Sequence, residues 1–124
     1  MKDPMSPVCR TISTLLSRIG DKWTVLVVST LADGSRRFNE LRREIPSVSQ
    51  RMLTLTLRNL ERDGLVSRKV TPSIPPRVDY ALTELGRSLQ TPISALADWA
   101  LDNVEAIHGA QSRFDAAQAK AEAA

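Results

Sequence analysis

Residues 47–64 read Ser47-Val48-Ser49-Gln50-Arg51-Met52-Leu53-Thr54-Leu55-Thr56-Leu57-Arg58-Asn59-Leu60-Glu61-Arg62-Asp63-Gly64. At about 100° per residue, Leu53, Thr56, Leu57 and Leu60 share one helical face, while Arg51, Thr54, Arg58 and Arg62 project from the opposite one. Leu55 falls with the polar set and is expected to be exposed. Ser47 and Gln50 have the spacing of a capping box, in which each side chain satisfies a free backbone donor of the other residue. Gly64 supplies an exit in the left-handed region. The stretch therefore predicts a capped amphipathic helix, buried by leucine and basic on its outer side.

Upstream, Asn39 can cap a short helix holding Leu41 and Ile45, which Pro46 ends by disfavouring helical geometry in the residue before it. A helix, a turn of about three residues and a second helix make the layout of a helix-turn-helix, although an ordinary helical hairpin has the same outline. Further back, Thr11 to Ile19 predicts a helix with Ile12, Leu15, Leu16 and Ile19 on one face, ending at Gly20. Asp21 then caps a helix containing Trp23, Val25, Leu26, Val27, Val28 and Leu31. It is apolar almost all round and is expected at the centre of the core.

Downstream of Gly64 the period shortens. Leu65–Val70 and Arg77–Leu82 carry β-branched and aromatic residues in rough alternation on either side of Thr71-Pro72-Ser73-Ile74-Pro75-Pro76, which predicts a hairpin with a stiff tip. Thr83 can cap a last helical stretch in which Leu89, Ile93, Leu96, Ala100, Val104 and Ile107 recur every three or four residues, with Trp99 on the flank. Pro92 either kinks it or marks a fresh start. Beyond Gly109 an Ala-rich segment has helix propensity but little to anchor it, and fraying is expected there.

The fold class that follows is α+β, mainly α: a winged helix-turn-helix with a β-hairpin wing and dimerisation helices at both ends. Residues 1–108 form one domain, with dimerisation helices at about 8–19 and 84–108, and 109–124 form the tail. The length of 124 residues suits one such domain, and 42% hydrophobic with 25% charged residues is ordinary globular composition. The apolar positions from Leu89 to Val104 exceed what one small core requires, so Leu89, Ile93, Leu96, Trp99, Ala100 and Val104 are the expected homodimer contacts. Packing within one subunit is the competing use of the same stripe.

Charge is unevenly placed along the chain. Residues 1–80 hold 14 Lys and Arg against 8 Asp and Glu, whereas residues 81–124 hold 3 against 6. Between residues 36 and 77 the count is 10 basic to 4 acidic. A polyanion partner for the first part follows, and double-stranded DNA fits a helix for the major groove beside a hairpin wing. The expected recognition-helix contacts are Ser47, Ser49, Gln50, Arg51, Thr54, Arg58 and Arg62, with Leu55 in reach of a thymine methyl. Arg36, Arg37, Arg68, Lys69 and Arg77 are expected on the wing and its flank. The alternative is a winged-helix module that docks an acidic protein and binds no specific DNA.

Other classes find little support. Glycines 20, 34, 64, 86 and 109 are too dispersed for a phosphate-cradling loop, and His108 with Asp102 is a weak basis for a catalytic triad, so an enzyme is not expected. One cysteine, Cys9, and one histidine exclude an intrachain disulfide and a closed Cys/His zinc site. No cofactor and no metal are expected. No apolar run reaches the roughly 20 residues of a membrane helix. Asp3, Pro4 and Pro7 replace the apolar core of a signal peptide, so a cytoplasmic location without a membrane partner is expected.

Four segments, Ile19-Gly20-Asp21-Lys22-Trp23, Arg37-Phe38-Asn39-Glu40-Leu41, Leu57 through Val66, and Pro75 through Gly86, resemble in order and spacing the motifs of the HxlR-type transcriptional regulators, relatives of the MarR group. The resemblance covers about residues 9–100. It implies a dimeric bacterial winged-helix regulator on a palindromic operator. It also implies that Phe38 and Asn39 close a short first strand and cap the third helix, and that Tyr80 packs the wing on the core. An N-terminal cysteine senses electrophiles or oxidants in some members, which makes Cys9 a candidate sensing thiol and a small electrophile or aromatic effector a candidate partner. A half-buried small side chain is the plainer role for Cys9.

Overall fold

The computed structural model describes residues 6–123. Asp3 and Pro4 of the signal-peptide expectation lie outside them. The chain divides into two compact units, one ending at Gln90 and the other beginning at Thr91.

The first unit is a winged helix-turn-helix. Its elements are α1 (Pro7–Ile19), α2 (Lys22–Leu31), α3 (Phe38–Glu44), α4 (Gln50–Arg62), β1 (Val66–Thr71), β2 (Arg77–Leu82) and α5 (Glu84–Ser88). Local chemistry sets most of the boundaries. Ser6 caps α1 by accepting from the Cys9 N–H, and Pro7 opens the helix where its missing donor costs nothing, so α1 begins four residues before the expected Thr11. Asp21 caps α2 as expected, accepting from the Trp23 N–H at 2.7 Å. Around α2 close Val27, Val28 and Leu31, joined by Leu41 and Ile45 of α3, Leu53, Leu57 and Leu60 of α4, Val66 and Leu82, all buried. Each such side chain stabilises the fold by about 1.5–3 kcal/mol relative to exposure.

Two caps differ from expectation. Ser47 does not cap α4: its φ is +71°, whereas a cap needs extended backbone, and Ser49 (φ −77°, ψ 157°) takes that role by accepting from the Met52 N–H. The Ser47–Gln50 capping box is therefore not formed. Likewise Arg37 occupies the cap position of α3, with Glu40 Oε1 accepting its N–H at 2.9 Å, and Asn39 lies inside the helix. Gly64, at φ +77°, ends α4 where predicted.

The wing pairs antiparallel from Val66↔Leu82 to Thr71↔Arg77. A single bridge adds Arg36 to its edge: Arg36 and Tyr80 exchange both backbone hydrogen bonds, at 2.9 and 2.8 Å. The short first strand thus closes at Arg36, just before Phe38. Thr83 joins two corners at once, accepting from the Gly86 N–H and donating to the Gly64 carbonyl at 2.6 Å. Leu89 caps the C-terminus of α5, so it lies outside the long helix that follows.

The second unit, from Thr91, is formed by the helix α6 (Gln90–Ala123), whose first turn holds Pro92 as a fresh start. The expected boundary near residue 108 falls within α6, and the helix continues through Gly109 to Ala123 where fraying was expected. Phe114, at about 100° per residue, lies on the line of Leu96 and Ile107 and extends the apolar stripe into the Ala-rich segment.

Candidate nucleic-acid interface

Four leucine and threonine side chains pin α4 to the core, and this orients everything else on it. With Leu53, Thr56, Leu57 and Leu60 inward, Arg51, Thr54, Arg58 and Arg62 are all exposed. Among the described residues, none of the three guanidinium groups has an ion-pair or hydrogen-bond partner. Three other arginines of the same unit are engaged. Arg18 clamps Asp63 with one nitrogen at 2.6 and 2.7 Å from its two oxygens, tying the end of α1 to the end of α4. Arg36 meets Glu44 at 2.7 Å, and Arg77 meets Asp79 at 2.9 Å.

Exposed Arg68 and Lys69 of β1 carry the basic surface onto the wing, again without partners among the described residues. Helix and wing meet across a groove of about 500 Å³ whose walls include Arg58, Thr54, Gln50, Arg68, Phe38 and Tyr80. Two free guanidinium groups thus face one groove from two elements. A second open groove, between α3 and the wing, is bordered by Arg37, Arg43 and Arg77. Free arginines that stay hydrated and unneutralised suit phosphate and guanine, which offer paired acceptors to a planar fork of donors.

Several expected site residues are placed differently from their sequence reading. Arg36, expected on the DNA flank, meets Glu44 and also donates to the carbonyls of Gly34 and Ser35, bracing the turn before α3. Arg77 keeps an exposed side chain but shares its charge with Asp79. The Ser49 hydroxyl serves as helix cap and the Thr54 hydroxyl donates to the Gln50 carbonyl at 2.8 Å, which leaves the Ser49 proton and the Thr54 lone pairs for a ligand. Ser47 and Gln50 are exposed at the start of α4. Leu55 lies on the flank of α4 toward α1, beside Thr14 and Ser17, and away from the wing groove.

Two contributors escaped the sequence reading. Asp63 was legible only as a helix end, because its partner Arg18 is 45 residues away and no local spacing signals the pair. Glu61 lines the wing groove and sets a negative charge opposite the arginines, which a helical wheel taken alone does not weight.

Cys9 is buried, 7% exposed, on the first turns of α1. Among the described residues no group of three or more His, Cys, Asp and Glu is placed to hold a metal ion, and no helix is long and apolar enough to cross a membrane.

The fold places the chain among known regulators. The chain is 44% identical over 109 residues to the HTH-type transcriptional regulator YdeP of Bacillus subtilis (strain 168), covering 83% of this chain and 85% of YdeP. Its fold is similar to that of the redox regulator HypR in its reduced form, with a TM-score of 0.73, 42% identity and coverage of 80% of this chain and 98% of HypR. It is also similar to the reduced form of the transcriptional regulator YodB from B. subtilis, with a TM-score of 0.66, 38% identity and coverage of 77% and 91%. The profile of the HxlR-like helix-turn-helix proteins matches residues 18–108. Since that span holds the helix-turn-helix, the wing and the start of α6, the chain belongs to the HxlR-like helix-turn-helix family.

Proposed function

We propose that the chain is a DNA-binding transcriptional regulator that acts as a homodimer on a palindromic operator. The observation that carries this is the row of guanidinium groups unpartnered among the described residues, Arg51, Arg58 and Arg62, held outward by the buried leucines of α4 beside a basic wing. In this role α4 enters the major groove, where Arg51 and Arg58 read bases or grip phosphate, with Gln50, Thr54 and the serines before the helix at the groove edge. Arg68, Lys69 and Arg77 lie on adjacent phosphates, and Arg37 flanks them.

Dimerisation is supported by apolar surface that one chain leaves open. On α1, Val8, Leu15 and Leu16 are exposed. On α6, a single helix that cannot bury its own stripe, Leu96, Trp99, Val104 and Ile107 are exposed, with Ile93 and Ala100 on the same side. A twofold pair presents two recognition helices to successive major grooves, about 34 Å apart. Cys9 is the sensing thiol in this proposal. It is the sole cysteine, and the similar protein HypR is a redox regulator.

An acidic protein could dock the same arginines, and salt with sequence separates the two partners. Fluorescence anisotropy with duplexes taken from the DNA beside the chain's own gene should show one that outbinds random duplex by about 10³ or more. Its log K should fall linearly with log salt, by about 0.9 per phosphate neutralised. Equal, weak binding to every duplex would refute the proposal.

A further inference from the structure

Beyond the last pair of the wing, Thr71↔Arg77, the chain turns through Pro72-Ser73-Ile74-Pro75-Pro76. At this tip Ile74 is 102% exposed, the highest value of any large hydrophobic side chain among the described residues. An apolar side chain held wholly in water forgoes its burial energy, which a bound partner can return. The tip is also stiff. Its three prolines fix φ, and the Ser73 hydroxyl donates to the Pro75 carbonyl at 2.8 Å, bracing the backbone on both sides of Ile74. The side chain is therefore presented with little conformational entropy left to lose on binding.

An isolated exposed isoleucine is ordinary on a protein surface, and it is the surroundings that give this one a meaning. From Val70 to Pro76 there is no acidic residue. Ser73, Pro75 and Pro76 border the open groove between α3 and the wing that also carries Arg37, Arg43 and Arg77, and exposed Arg68 and Lys69 follow on β1. An apolar point ringed by cations fits the minor groove of DNA, whose phosphate walls meet the cations and whose base steps accept an aliphatic wedge. The reach agrees. The 6 residues of β1 extend about 20 Å, and the minor groove beside the major groove assigned to α4 is about 17 Å away along the duplex, half of one turn. We propose that Ile74 enters that minor groove and wedges between two base pairs, unstacking and kinking the duplex, so that the chain selects deformable pyrimidine–purine steps to which it makes no hydrogen bond.

Such a wedge rests on the DNA binding proposed above, and the two are read separately. The probe is the tightest-bound duplex from the DNA beside the chain's own gene, with 2-aminopurine placed in turn at each adenine flanking the half-sites and a dye pair at its ends. The wild-type chain should raise 2-aminopurine fluorescence at a flanking position of each half-site and shorten the end-to-end distance. Ile74→Ala, at a fully exposed position, should melt at the same temperature and lose both signals. It should bind about tenfold more weakly with an unchanged slope of log K against log salt, because no phosphate contact is removed. Replacing the flanking pyrimidine–purine step by a stiff A-tract step should weaken the wild type and leave Ile74→Ala unaffected. Equal bending and affinity in Ile74→Ala, or a shallower salt slope, would overturn the wedge while leaving recognition by α4 standing. So would Ile74-dependent binding to phosphatidylserine vesicles with no change on the duplex. A wild-type chain that selects no duplex would sink the function proposed above, and the wedge with it.

Discussion

Arg51→Ala should weaken operator binding and strengthen the fold together. Arg51 is the second residue of α4, exposed, and without a partner among the described residues, so its removal breaks no bond within the chain. It also stands at the positive end of the helix, where a cation is unfavourable by about 0.3–1 kcal/mol, and alanine has the better helix propensity. Urea unfolding should therefore show equal or slightly greater stability, by up to about 1 kcal/mol. Binding should move the other way. Removing one base or phosphate interaction from each of two half-sites costs about 1–3 kcal/mol apiece, or at least about 30-fold in affinity for the dimer. Anisotropy at fixed ionic strength measures the second effect and denaturant titration the first. Unchanged operator affinity, or a loss of affinity that tracks a loss of stability, would refute the assignment of α4.

Gly64→Ala and Gly86→Ala should differ in cost. At Gly64 an added Cβ meets open space and only the positive φ is strained, about 1–2 kcal/mol, whereas at Gly86 it would run into the Leu65 backbone carbonyl, about 3 kcal/mol or more. Thermal melts rank the two, and the reverse order would contradict the packing of α5 on the wing exit. Leu96→Glu with Val104→Glu should leave α6 helical and convert the dimer to monomer in sedimentation velocity; a persistent dimer would place the interface elsewhere. Diamide should join two wild-type chains through Cys9, the two thiols giving up two protons and two electrons to the diamide. Burial makes this slow, limited by opening of the start of α1. Cys9→Ser should abolish both the covalent dimer and any change in operator binding, and a surviving response would move sensing to another group.

The winged helix-turn-helix is legible in the chain's residues alone, because its signals are local. The apolar period of α4, Gly64 at its end, Asp21 and Thr83 as caps, and the proline-rich hairpin tip each act within a few residues. The basic face of α4 was legible for the same reason: once Leu53, Leu57 and Leu60 are buried, geometry fixes where Arg51, Arg58 and Arg62 point. Caps were misplaced where two serines, Ser47 and Ser49, competed, since only the folded backbone decides which one is extended. Tertiary structure alone decided which charges are free. Arg36 and Arg58 look alike in sequence, yet one meets Glu44 eight residues away and the other meets nothing among the described residues. It alone also joined Arg18 of α1 to Asp63 at the end of α4. Neither pairing leaves a periodic trace, because long-range contacts depend on how helices cross and not on the spacing within any one of them.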